Sequence, residues 1–134
     1  DFIHNICVFL LTLKTQIMTA AAKSIYYFGI YLFVVGLTLV CIPNIFLATL
    51  QMPETNEVWI RVVGVLALVI GFYYNRAGAT NLQPFFGLTV PTRVTVFLFF
   101  VFFAIMKWVS PVIIGIGVID LAGALWTWME MKKR

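Results

Sequence analysis

Charge is scarce in this chain. Charged residues fill 10% of its 134 positions, against roughly 25% in a typical globular domain. With 63% of residues hydrophobic, there is too little polar surface to cover the apolar side chains, which excludes a water-soluble fold. Histidine occurs once and cysteine twice. A single histidine rules out paired haem ligation. Cys7 and Cys41 have neither CxxC spacing nor histidines nearby, which argues against a disulfide framework or a zinc site, and they read as small apolar filler. No Ser-His-Asp set, HExxH motif, phosphate loop or catalytically spaced carboxylate pair occurs in any segment. No catalytic, cofactor or metal residue is therefore assigned, and the chain reads as a non-enzyme. Glu54 and Glu57 read as a solvated pair or as a cap for the following helix. The nine Lys and Arg residues lie scattered at segment ends and form no basic patch, which argues against a nucleic-acid partner.

What the chain does have is apolar length. About 20 apolar residues carry a helix across a hydrocarbon core, within a working range of roughly 17 to 25. Four stretches approach that, at about residues 24–42, 58–74, 92–108 and 111–128. The first stops at Pro43-Asn44, where proline removes a donor and disfavours further helix. The third carries Phe97, Phe99, Phe100, Phe102 and Phe103 all around its circumference, as expected where lipid or other helices cover every side. The fourth starts at Pro111, suited to a first turn. The spans are too long, and lack the polar alternation, for strands of an outer-membrane barrel. The expected fold is all-α, a four-transmembrane-helix bundle, with residues 24–134 as the membrane domain and the bilayer as its first partner.

Positive charge sets the orientation. With both termini inside, Lys14, Lys23, Arg76, Arg93, Lys132, Lys133 and Arg134 lie inside, and only Arg61 and Lys107 lie near the outer ends. Seven against two favours an N-in/C-in arrangement with cytoplasmic termini. Aromatic residues mark both interfaces: Trp59 and Trp108 outside, Tyr26, Tyr27, Tyr73, Tyr74, Trp126 and Trp128 inside. The short outer link around Ser110 makes the third and fourth spans antiparallel neighbours. The inner link, about residues 77–91, reads as a segment lying in the interface. Residues 1–23 form a separate N-terminal segment. Its apolar run Phe2 to Leu13 is too short to span and lacks the marks of a secretory signal. The expectation is a start at Met18, or a leading stretch lying along the membrane surface.

Asp120 is the residue that composition does not explain. It lies nine positions into the fourth span, about 13 Å below its outer end, where an ionised carboxylate costs at least about 2.5 kcal/mol unless paired. Arg61, three residues into the second span, is the expected partner. The bland alternative is a purely structural pair, or a neutral Asp120 bonded to neighbouring backbone. Arg61, Gly64, Leu68, Gly71 and Asn75 share one helix face, and Gly117, Asp120, Ala124 and Thr127 share another. Small residues in a stripe let helices approach closely in lipid, so the second and fourth spans are expected to pack face to face. The same glycines could instead make room for a flat ligand or lipid tail. Gly29 and Gly36 on the first span admit both readings.

The runs Glu57-Val58-Trp59-Ile60-Arg61-Val62-Val63-Gly64, Gly71-Phe72-Tyr73-Tyr74 and Pro84-Phe85-Phe86, then Thr89, Arg93 and Ile119-Asp120-Leu121-Ala122-Gly123-Ala124-Leu125-Trp126-Thr127, resemble a family of small uncharacterised bacterial four-helix integral membrane proteins. The likeness covers about Ser24 to Trp128 and implies a bacterial inner-membrane location without implying an activity. In size and topology the chain is also similar to DoxX-like proteins, some of which are linked to quinone or thiol oxidation. The segment before Met18 departs from the pattern. The first functional expectation is an accessory or scaffold subunit that packs against larger membrane proteins or self-associates. The others are a quinone- or lipid-binding redox-associated protein, with its pocket near Asp120 and Arg61, and an oligomeric small transporter or channel.

Overall fold

The computed structural model describes the backbone of residues 1–15 and 18–133 and the side chains of residues 1–9 and 18–133. The Lys14 side chain and Arg134, both counted above as inward charges, lie outside the described residues. Among the described residues six helices follow in order: α1 (Phe2–Thr15), α2 (Ala20–Cys41), α3 (Pro43–Thr49), α4 (Trp59–Ala79), α5 (Gln83–Ile105) and α6 (Ile113–Lys132). The protein is all-α, and α2, α4, α5 and α6 are each long and apolar enough to cross a membrane. The described α1 side chains, Phe2 to Phe9, are all exposed.

Local chemistry fixes the helix ends. Thr19 caps α2 by accepting from the Ala22 N–H at 3.1 Å. The same hydroxyl donates to Asn81 Oδ1 at 3.0 Å, tying the start of α2 to the α4–α5 turn. α2 stops at Cys41 and Pro43 opens α3 at a first-turn position that has no donor duty. Three helices end in a left-handed residue that is not glycine: Gln51 after α3, Asn81 after α4 and Lys107 after α5, with φ of 55°, 54° and 59°. In each the next N–H returns to a carbonyl five residues back, at 3.0 Å (Met52 to Leu47), 2.9 Å (Leu82 to Ala77) and 3.1 Å (Trp108 to Phe103). These are Schellman closures, and they satisfy carbonyls that lipid could not.

α2 is the hub: α4 packs along one side of it, α6 and more lightly α5 along the other, while α5 and α6 pack on each other. The α2–α4 contact is a glycine seam. Gly36 lies opposite Gly64, Gly29 opposite Gly71 and Ala22 opposite Gly78, each pair seven residues from the next. A Cβ on Gly29 would sit 2.8 Å from both the Gly71 oxygen and the Asn75 nitrogen. One on Gly78 would sit 2.8 Å from the Ala22 oxygen. The backbones therefore touch directly, as small residues permit where hydrophobic burial gives no drive between helices in lipid.

Three expectations need correction here. The third span is not 92–108: α5 begins at Gln83 and runs through Pro91. The proposed interfacial link therefore shrinks to the turn Thr80–Leu82 between α4 and α5. Pro91 removes one amide donor, from the bond that would reach the Gly87 carbonyl. Such breaks are tolerated in membrane helices because neighbouring groups re-satisfy the backbone. Second, α4 and α6 do not pack face to face. The α4 glycines, Gly64 and Gly71, are already filled by α2, while the α6 stripe turns to α5 and α2. Third, Cys7 and Cys41 are both exposed and fill no interior gap.

Candidate functional site

With α5 starting at Gln83, Arg93 moves from the inner end of a span to its middle. It lies ten residues from Gln83 and twelve from Ile105, about 15 and 18 Å at 1.5 Å per residue. Its relative exposure is 2%. Phe86, Thr89 and Arg93 are the buried residues of α5, and their spacing of three and four places them on one helix face.

The guanidinium is held by aromatic rings more than by hydrogen bonds. Its central carbon lies 3.9 Å from the Phe28 ring centroid and 5.1 Å from that of Tyr74, within cation–π range. Nη1 donates to Thr127 Oγ1 over 3.4 Å, a long bond. Nε and Nη2 are buried with no hydrogen-bond partner. Gly123 makes the approach possible, since a Cβ there would sit 3.0 Å from Nη1 and 3.3 Å from the Phe28 ring.

Thr127 is fully enclosed and central to a small polar file. Its hydroxyl pairs with Ser24 Oγ at 2.7 Å and donates to the Gly123 carbonyl at 3.0 Å. Ser24 Oγ also lies 2.7 Å from the Ala21 carbonyl, and its single proton goes either to that carbonyl or to Thr127. The file joins α2, α5 and α6 and leads from the end of the bundle holding Ala21 inward to Arg93.

Asp120 is 8% exposed, on the same face of α6 as Gly117, Ala124 and Thr127. It stands in the electrostatic field of Arg93, and its own field reaches Tyr31 on α2. The two charges make no direct contact: among the described residues the one ion pair is Lys133–Glu130, at 2.8 Å. A guanidinium on α5 and a carboxylate on α6 are thus both buried, and neither has an ion-pair partner among the described residues. That is unusual, because each costs roughly 2.5–3.5 kcal/mol at the centre of a spanning helix.

The expected partner of Asp120 is displaced. Arg61 is exposed and donates through Nη1 to the Val40 carbonyl, closing an otherwise free group near the end of α2. The reason is geometric: Arg61 rides on α4, whose packed face belongs to α2, so α2 stands between it and α6. Gly64 and Gly71 lie in the seam against α2; Gly117 seats Phe97 and Phe100 of α5 at 3.1 and 3.3 Å from a would-be Cβ. Ala124 is buried at 1%. Tyr74, expected at the inner interface, is 8% exposed and packs against Phe28 and Phe85 at centroid distances of 5.2 and 5.3 Å. Glu54 and Glu57 are exposed, and no side chain caps α4.

Sequence reasoning missed Arg93, Phe28, Tyr74 and Ser24 as site residues. The available signal is Arg93 itself, eleven residues beyond Leu82, which a span boundary at Pro91 hides. Compared with protein-family models, curated proteins and solved structures, the chain matches none.

Proposed function

We propose that this multi-pass membrane protein binds the uncharged, oxygen-bearing head of a membrane amphiphile, of quinone or lipid type, between Arg93 and Asp120. The observation that carries the reading is the buried guanidinium whose Nε and Nη2 have no partner, in a spanning helix where unsatisfied donors are costly. Site charge decides the ligand class. One guanidinium and one carboxylate cancel, so an anion would leave the enclosure overcharged, whereas a neutral head carrying both an acceptor and a donor matches what each residue offers. Phe28 and Tyr74, whose rings face the guanidinium, give the head apolar aromatic walls beside the charge. The chain's own part is binding and orientation; no nucleophile or redox centre is assigned.

The experiment is purification in mild detergent followed by mass spectrometry of extracted lipids, wild type against Arg93→Gln. A near-stoichiometric amphiphile retained by the wild type and depleted in the variant is expected. Extracts that match bulk membrane lipid in both proteins would refute the reading.

A bacterial inner-membrane location with cytoplasmic termini is part of the proposal. Removing Arg93 from the charge comparison leaves Lys23, Arg76, Lys132 and Lys133 at the end carrying the α4–α5 turn, against Arg61 and Lys107 at the other, still in the sense of the positive-inside rule. A reporter fused to the C-terminus should be active only if it functions in the cytoplasm.

A second reading, as an accessory subunit, is favoured by α5. It is the least enclosed spanning helix, and it exposes Leu98, Phe99 and Phe102 around a surface hollow that Thr95 completes. A stoichiometric membrane partner that co-purifies, and is lost on Phe99→Ala/Phe102→Ala, is the outcome this reading requires.

A further inference from the structure

The geometry points to the cleft between α4 and α5 as the lateral opening of the Arg93 site, holding the hydrocarbon tail of a flat, uncharged quinone-type ring; this rests on the reading above. α4 and α5 touch through Tyr74, which packs on Phe85 and faces Arg93, and the turn Thr80–Leu82 keeps their ends adjacent. The result is a cleft of about 260 Å³ whose walls include Ile70, Tyr73 and Tyr74 on one side and Phe85, Leu88 and Thr89 on the other. It is smaller than the roughly 300–1,000 Å³ that encloses a whole drug-sized ligand, which suits it to a chain segment and leaves the head to be housed elsewhere.

Two residues belong to both places. Tyr74 lines the cleft and its ring faces the Arg93 guanidinium at 5.1 Å. Thr89 lines the cleft, is 3% exposed, and lies one turn before Arg93 on the same face of α5. Its hydroxyl is turned back to the Phe86 carbonyl at 2.8 Å, so the wall it presents is apolar. A tail seated against lipid-facing Leu88 would run inward to Tyr74, behind which stand the unpartnered Nε and Nη2. The chemistry at the two ends is complementary to one amphiphile: apolar in the cleft, donor and acceptor at the centre. Tyr74 is thereby the gate, and its displacement exposes the guanidinium to the cleft.

The test uses a 1,4-benzoquinol, whose hydroxyls both donate and accept, bearing a decyl chain, and the same ring bearing methyl in its place, titrated onto the detergent-solubilised full chain. Leu88→Trp and, separately, Thr92→Phe add bulk at exposed cleft positions and should leave the fold, read by circular dichroism, unchanged. Each is expected to weaken the decyl compound at least tenfold and leave the methyl compound unaltered, whereas Arg93→Gln weakens both. If decyl binding survives both cleft variants but is lost in Arg93→Gln, the cleft assignment fails and the head site stands. If neither compound binds the wild type, or Arg93→Gln binds both as well as wild type, the head site fails and the cleft assignment with it.

Discussion

The α2–α4 seam makes the most quantitative claim, and Gly36→Ala probes it. The new Cβ would lie 2.7 Å from Leu68 Cγ, 2.8 Å from the Gly64 oxygen and 2.9 Å from the Leu68 nitrogen. Two of those atoms are backbone or near it, so relief requires the helices to part by about 0.7 Å to regain an ordinary separation near 3.5 Å. A radial gap of that size forfeits a quarter to a half of each dispersion well. On the order of 50 atom pairs at about 0.15 kcal/mol then lose roughly 2–4 kcal/mol. Alanine returns about 1 kcal/mol of helix propensity, so the net cost is about 1–3 kcal/mol, in the range of measured overpacking. Gly115→Ala is the control, because a Cβ there meets nothing within 4 Å. It should be neutral or gain up to about 1 kcal/mol. Gly64→Ala strikes the same point from the other side, 2.9 Å from the Gly36 oxygen. The double variant should therefore fall short of the summed costs by about 1 kcal/mol. Reversible unfolding by titration with a denaturing detergent, followed by fluorescence transfer between labels on α2 and α4, gives these energies. Were Gly36→Ala as well tolerated as Gly115→Ala, the close-contact seam would be wrong.

The remaining predictions concern the charges and the polar file. Because Arg61 and Asp120 occupy opposite sides of α2, Arg61→Ala should cost no more than about 1 kcal/mol, and in a double-mutant cycle with Asp120→Asn it should be additive within about 0.5 kcal/mol. Coupling of 1 kcal/mol or more in the same unfolding assay would restore the discarded pair. Ser24→Ala removes one of several partners of Thr127, so a loss of about 1 kcal/mol is expected. A cost above about 3 kcal/mol would mean that the file supports the bundle far more than its hydrogen bonds imply.

The sequence alone determined that lipid surrounds this chain and that four helices cross it. Those conclusions rest on composition and on run length, which depend on each segment's own solvent and on nothing it touches. It also contained both small-residue stripes: Gly64 and Gly71 on α4, Gly117 and Ala124 on α6. Which stripe meets which is a property of pairs of helices, and the seven-residue match of Gly29 and Gly36 to Gly71 and Gly64 acquires meaning only once antiparallel packing brings the backbones within touch. Span boundaries failed at Pro91 for a related reason, since the penalty for proline in a helix is read locally while its relief comes from surrounding structure. Only the tertiary structure decided that Asp120 is buried on the side of α2 away from Arg61, which bonds to Val40 instead. In lipid every helix face is apolar enough to be covered, so hydropathy selects no partner, and the choice falls to backbone proximity and to the few buried polar atoms that must find one another.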